Sequence, residues 1–432
     1  MNNINSLKLF SIIILVLFPP LVSAHNYIFM IGDGMGTSYL SALRYYENAK
    51  NQNNKPTIFD SIGVGMIRTQ PLGLNKITDS AAGGTALATG EKTENGYIGM
   101  SPEGHSFKSV LKTAKEQGLK TGVVVTSSVT DATPASFLTT NRSRDNQDEI
   151  AYSYIQQAVD KRPLYDILLG GGRKYFEKNS LIKTDVKKSS NVKYVTEFSR
   201  LVPEEHLPVI GAFAEEGLPF AIDHREPSLM MMTHYALQNL QNSQGFFLLV
   251  ESSQIDWCGH KNDIVCALNE MNDFAETTAL VKRFVDDHPD TLLVITADHS
   301  TGGLSVGSAR GKYWNPAVID KMHASVDMLS KRLMQRADFR ETWKKYSDVP
   351  LNDQQLSEIK KYKEKNDEEG IRHYLTHLIN LTTNTGWTTQ SHTGEDIPIF
   401  AYGYGAEKFK GFYENTEVGR RLKTEIIKNT SQ

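Results

Sequence analysis

The sequence predicts an α/β fold: a large central, mostly parallel β-sheet flanked by helices on both faces, with a helical insertion. Three observations lead to that reading. Short apolar runs recur at Tyr27 to Ile31, Thr121 to Val125, Phe246 to Val250 and Leu292 to Thr296, and continuous apolar runs suit strands buried on both faces. Helix-like stretches at 37–50, 106–117, 228–242 and 263–287 alternate with them; in the last, Ile264, Leu268, Met271, Phe274 and Ala275 recur at helical spacing. Each apolar run also empties into a polar cluster, and in parallel sheets ligands gather beyond the carboxyl ends of the strands.

Taken in chain order, residues 1–24 differ in kind from the rest. Lys8 precedes the apolar run Leu9 to Phe18, and Val22-Ser23-Ala24 supplies small residues at a cleavage point. That pattern reads as a secretory signal cleaved after Ala24, too short for a comfortable membrane span. The expected product is a secreted or periplasmic protein with no stable membrane anchor. Residues 25–432 read as one domain. Within it, 315–380 breaks the strand–helix rhythm with long, charged, helix-forming sequence, expected to be an insertion forming a helical cap. Asn415 to Asn429 closes the chain as a final helix. The net charge of −3 argues against a broad basic surface for nucleic acid. The two cysteines, Cys258 and Cys266, permit a disulfide after export but their spacing does not prescribe one.

The polar clusters hold the chemistry. Asp33, Asp256, His260, Asp298, His299 and His392 are six candidate zinc ligands at predicted strand ends. Carboxylates and imidazoles are the ligands zinc takes when water or substrate must share its sphere. Two such ions about 4 Å apart suit an in-line displacement. Asp33, Thr133 and Glu251 offer the oxygen set that magnesium prefers. Ser80 lies among small residues, Thr78-Asp79-Ser80-Ala81-Ala82-Gly83-Gly84. It reads either as a helix cap or as a nucleophile where free amides and the helix dipole favour an anion. Arg142 and Arg144 are candidates for gripping two phosphate oxygens.

The ordered motifs Ile31-Gly32-Asp33-Gly34-Met35-Gly36, Thr78-Asp79-Ser80-Ala81-Ala82, Asp131-Ala132-Thr133-Pro134-Ala135, Val250-Glu251, Ile255-Asp256-Trp257-Cys258-Gly259-His260, Thr296-Ala297-Asp298-His299 and His392-Thr393-Gly394 resemble those of bacterial alkaline phosphatases over nearly the whole mature length. The resemblance implies hydrolysis of phosphate monoesters through phosphorylated Ser80. Asp256, His260 and His392 would hold one zinc, and Asp33, Asp298 and His299 a second. Asp33, Thr133 and Glu251 would hold magnesium. It also implies that Arg144, 13 residues after Asp131, grips phosphate. Asp131 stands where others carry histidine, and Trp257 where others carry lysine or histidine; both are expected to border the substrate. The resemblance leaves monomer or homodimer open. A phosphodiesterase of the same superfamily and a non-catalytic metal- or phosphate-binding protein are the alternatives.

Overall fold

A computed structural model describes residues 25–178, 192–202, 208–308, 311–336 and 338–430; the predicted signal at 1–24 lies outside them. The strands in chain order are β1 (Asn26–Gly32), β2 (Gly63–Arg68), β3 (Lys120–Ser128), β4 (Ile167–Gly171), β5 (Lys193–Val195), β6 (Val209–Ala212), β7 (Phe246–Ser252) and β8 (Thr291–Thr296). Four short strands follow: β9 (Ser300–Thr301), β10 (Ser305–Val306), β11 (Thr385–Gly386) and β12 (His392–Thr393). β13 (Ile397–Gly403) and β14 (Gly411–Glu414) complete the set.

Ten of these strands form one sheet in the order β14-β2-β13-β8-β1-β7-β3-β4-β6-β5. All neighbours run parallel except β13, which is antiparallel to both β2 and β8. The four apolar runs read from sequence are β1, β3, β7 and β8, adjacent at the centre. All seven residues of β1 are buried, as a strand covered on both faces requires.

Helices pack against the sheet in two groups. Thr37–Asn51, Leu229–Leu240 and Ile264–Asp287 pack together; Ser80–Thr89, Val110–Glu116, Ala132–Leu138 and Thr416–Thr430 form the other group. Aromatic contacts knit each to the core: Phe137 lies 6.0 Å from Phe29, and Phe274 lies 5.7 Å from Phe59, between ring centres. Each such buried ring contributes roughly 1.5–3 kcal/mol relative to exposure.

The stretch 315–380 is helix-rich, as its composition predicts, with helices Val326–Gln335, Phe339–Tyr346, Asp353–Glu364 and Glu368–Thr383. The β10·β11 ribbon joins its two ends. It is anchored to the segment just after His260: Val326 N–H donates to Asp263 Oδ2 (3.0 Å), and Asn380 Nδ2 donates to the Asn262 carbonyl (2.9 Å).

Two further links position the helix Gln254–His260. Cys258 and Cys266 form a disulfide, with Cα atoms 5.5 Å apart, so the pairing that spacing left open is made by the fold. Arg225, fully buried, bonds Glu270 Oε2 and Asp273 Oδ2 through Nη2 at 2.8 Å each. Its Nη1 reaches Gln254 Oε1 at 3.4 Å.

Candidate active site

Sheet topology assembles the predicted residues. Asp33 follows β1, Glu251 is the next-to-last residue of β7, Asp298 and His299 follow β8, and Asp131 and Thr133 follow β3. Because these strands are parallel and adjacent, all of them emerge on one edge. Gly34, at φ +73°, turns the chain after β1; a Cβ there would lie 2.8 Å from Asp256 Cα, so the close approach requires glycine. Asp256 and His260, four apart, share one face of their helix. The β9·β12 ribbon pairs His392 with Thr301, stacking the His392 ring on that of His299 at 3.6 Å.

Two ligand groups result. Asp256, His260 and His392 present atoms within 4.8 Å of one another, and so do Asp33, Asp256 and His299. Asp256 is common to both. His299 Nε2 also lies 3.1 Å from Asp298 Oδ2 and 3.6 Å from Asp33 Oδ1.

Hydrogen bonds set the imidazole tautomers. His260 Nδ1 faces the Gln390 carbonyl at 2.6 Å, and His392 Nδ1 faces the Thr78 carbonyl at 2.9 Å. Carbonyls only accept, so each Nδ1 carries a proton. Thr301 Oγ1 donates to Asp256 Oδ1 and faces His299 Nδ1 at 3.3 Å, so it accepts from that ring. In its neutral form each ring therefore turns an Nε2 lone pair inward, with His260 and His392 Nε2 only 3.2 Å apart. Such an array repels itself unless a proton or a cation sits between its members, and orienting Nδ1 bonds of this kind accompany metal-ligating histidines.

The titration tendencies divide the cluster: burial works against protonation of His299, but Asp298 raises it. Burial, then the charges of Asp298 and Asp256, pushes Asp33 well above the usual carboxylate range. Burial, then Asp131 and Asp298, does the same for Glu251. Burial and the charge of His299 push His392 down to about 4. Burial opposes ionisation of Asp256, but the His260 hydrogen bond and neighbouring imidazole charges hold it low. The Asp256 hydrogen bond raises His260. Asp33 Oδ1, Thr133 Oγ1, Glu251 Oε2 and Asp298 Oδ2 are buried without hydrogen-bond partners. Buried oxygens of that kind are costly unless something satisfies them; the donor set fits divalent cations.

Ser80 is buried with Oγ 3.1 Å from His299 Nε2. It is not the cap of its helix. Asp79 is the cap, accepting from Ala82 N–H at 2.9 Å, so the Ser80 hydroxyl at the first helical position has no capping duty and faces His299 instead. Gly83 and Gly84 let this helix lie against Asp298 and Thr133. Arg144 spans two carboxylates: Nη1 is 3.4 Å from Asp79 Oδ2 and Nη2 is 3.4 Å from Asp131 Oδ1. Burial works against its charge, but Asp131, Asp79 and Asp33 hold the guanidinium firmly protonated. Arg142 lies elsewhere, beside Gly104.

A family model described as alkaline phosphatase matches residues 24–427. The chain belongs to the alkaline phosphatase family. It is a phosphatase enzyme. Alkaline phosphatase 4 of Bacillus subtilis is 39% identical over 398 residues, covering 91% of this chain and 86% of that one. The cold-active alkaline phosphatase from a psychrophilic Shewanella sp. superposes with a TM-score of 0.87 at 37% identity, covering 93% of this chain and 99% of its own. A histidine-to-aspartate mutant of the TAB5 alkaline phosphatase, solved with Mg bound in its M3 site, gives a TM-score of 0.69 at 27% identity, covering 95% and 98%.

Within this alkaline phosphatase-family site, two residues escaped the sequence reading of ligands and phosphate grip. Thr301 braces both Asp256 and His299; its position two residues after His299 was the available signal. Asp79 caps the Ser80 helix, holds Arg144 and accepts from Gly96 N–H at 2.9 Å. A cap residue just before the helix was legible, but not its second and third partners.

Proposed function

We propose that the chain hydrolyses phosphate monoesters in two in-line displacements through a phosphoserine at Ser80, using two zinc ions and one magnesium. The observation that carries this reading is the buried Ser80 hydroxyl at a helix N-terminus, 3.1 Å from Nε2 of His299, a member of one of the two candidate cation-ligand groups. Asp256, His260 and His392 would hold one zinc, and Asp33, Asp298 and His299 the other. Asp33, Thr133 and Glu251 would hold magnesium, with Asp131 acting on it through water. An aspartate at a histidine position accompanies magnesium in the TAB5 mutant, which supports the oxygen-rich third site. Bound there, these ions would screen the carboxylates, ease deprotonation of serine and water, and stabilise the leaving oxygen.

The chain's own groups do the rest. Ser80 Oγ attacks phosphorus, that bond forms, and the bond to the alcohol oxygen breaks, with a proton going to the alcohol. Water then displaces Ser80, releasing inorganic phosphate and restoring the hydroxyl. Arg144 is oriented by Asp79 and Asp131, each engaging one terminal nitrogen. The remaining N–H of each nitrogen is available to a phosphoryl oxygen. Helix N-terminal amides at Ser80 favour the same anion, and charge stabilisation of this kind dominates phosphoryl transfer.

The same reading has residues 1–24 cleaved on export, residues 25–432 forming one domain, and 315–380 acting as a helical cap. Among the described residues no helix is long and apolar enough to cross a membrane.

The test is turnover of a chromogenic monoester beside the matching diester, with Ser80→Ala and chelator-treated protein in parallel. Strong monoester turnover, lost in both controls, is expected. Preference for the diester would overturn the monoesterase reading, and no turnover of either by metal-loaded protein would overturn catalysis itself.

A further inference from the structure

Asn95 lies outside both ligand groups, yet its side chain closes on the segment that carries the nucleophile. Its amide bridges two peptide units: Nδ2 donates to the Ile77 carbonyl (3.0 Å), and Oδ1 accepts from Asp79 N–H (3.1 Å). The Asp79 N–H and the Thr78 carbonyl are the two ends of one planar peptide group. That carbonyl accepts from His392 Nδ1–H at 2.9 Å. A single peptide plane is therefore held at its N–H by Asn95 and at its carbonyl by His392, with Ser80 the next residue along the chain.

The turn that presents Asn95 also reaches Arg144. Gly96 N–H donates to Asp79 Oδ2 (2.9 Å), and the Gly96 carbonyl accepts from the Arg144 backbone N–H (2.9 Å). Gly96 sits at φ +89°, a conformation that favours glycine. Beyond it, Thr85 of the Ser80 helix donates through Oγ1 to the Tyr97 carbonyl (3.2 Å) and accepts from Gly99 N–H (2.9 Å). Ile98 and Asn141 exchange both backbone bonds. The loop 95–99 is thus fastened on one side to the Ser80 helix and on the other to the segment leading into Arg144.

We propose that Asn95 is a positioning residue for the reaction: its amide sets the Thr78–Asp79 peptide plane and, through it, where Ser80 stands and how His392 is oriented. The proposal rests on the phosphomonoesterase reading above and deepens it. A peptide group bonded at both ends is polarised along the chain of hydrogen bonds, so accepting the Asp79 proton makes the Thr78 carbonyl a better acceptor for His392. A bond of that kind to the far nitrogen of a ligating imidazole fixes its tautomer and raises its basicity. Rotation of the same plane shifts the start of the Ser80 helix, and a misplacement of about 1 Å at a reacting atom costs about 10²-fold in rate. Asparagine suits the place because one side chain supplies an acceptor and a donor side by side; aspartate supplies only the acceptor, and leucine neither.

The test compares Asn95→Leu and Asn95→Asp with wild type in two readouts. One is zinc affinity, by competition with a chromogenic chelator; the other is kcat/KM for a chromogenic monoester at saturating zinc. Asn95→Leu should lose about tenfold in zinc affinity and about 10- to 100-fold in kcat/KM, with its urea unfolding midpoint unchanged. Asn95→Asp keeps an acceptor for Asp79 N–H and should recover at least about threefold in each readout, the scale of one hydrogen bond. Equal losses in the two variants, or losses that track a lowered urea midpoint, would mean a merely structural role and overturn the proposal. A loss under about threefold in either readout for Asn95→Leu would overturn it too. Should the leucine variant not fold, Asn95→Ser, too short to span both partners, makes the same comparison with the same outcomes. Zinc affinity that falls as expected, in a protein whose wild type turns over no monoester, would refute the monoesterase reading alone.

Discussion

Replacing Arg144 by methionine keeps most of the side-chain volume and removes the guanidinium fork. Each terminal nitrogen has one N–H committed toward a carboxylate at 3.4 Å, so two remain for phosphate. A hydrogen bond to a charged group contributes about 1.5–3 kcal/mol, which makes the pair worth about 3–6 kcal/mol, or about 10²- to 10⁴-fold in rate. The side chain is 29% exposed, so water screens part of that, and the lower half of the range, about 10²- to 10³-fold in kcat/KM, is the expectation. The loss should not fall below this, because Asp79 and Asp131 would then face the anion uncompensated. Arg144→Lys restores charge without the fork and should recover roughly one power of ten. The assay is steady-state hydrolysis of a chromogenic monoester, with bound metal quantified in each variant. A loss under about fivefold, or an equal proportional loss on the matching diester, which has fewer free oxygens to grip, would refute the reasoning.

Other outcomes follow from the same geometry. Thr301→Val removes the hydroxyl that braces Asp256 and His299; zinc affinity should fall about 10- to 100-fold, read by competition with a chromogenic chelator, and unchanged affinity would exclude the bracing role. Arg225→Met leaves Glu270 buried without its charge partner and should lower unfolding free energy by about 3–5 kcal/mol in urea titration; a neutral result would mean Glu270 is protonated in the fold. Burial, partly offset by backbone N–H bonds from Cys266 and Val326, raises the carboxyl of Asp263 to about 6 from its ordinary 3.8. A raised group favours the fold while protonated, so its contribution is complete below pH 3.8 and is lost as pH rises through 6. The shift of 6 − 3.8 is worth about 3 kcal/mol. In metal-free protein, the stability of Asp263→Asn relative to wild type should therefore rise by about that amount between pH 4 and 7, and a flat difference would show that Asp263 stays ionised throughout.

The apolar runs made the central strands legible because burial on both faces leaves no polar alternative in the sequence. The strand-end motifs made the candidate ligands legible because a parallel sheet delivers strand ends to one edge. The antiparallel course of β13 was not legible: Ile397 to Gly403 is an apolar run like the parallel strands of the sheet, and direction depends on how the connection returns. The Cys258–Cys266 pairing was equally open, since eight residues of separation permit but do not require it. Ser80 and Asp79 could each be read as the helix cap, because both are good cap residues and only backbone geometry gives the cap to Asp79.

The sequence alone determined the fold class, the residue types of the candidate site and the order in which the strands deliver them. Only the tertiary structure decided that Asp256 stands between both ligand groups, that Thr301 joins Asp256 to His299, and that Asp79 and Asp131 hold Arg144 between them. It also decided that His260 and His392, 132 residues apart, point their Nε2 atoms at each other. The physical reason is range. Burial and helix or strand period are local properties that each segment carries in its own composition. Distances between side chains on different segments are set by sheet register, helix packing and the β9·β12 ribbon acting together, and no single segment encodes them.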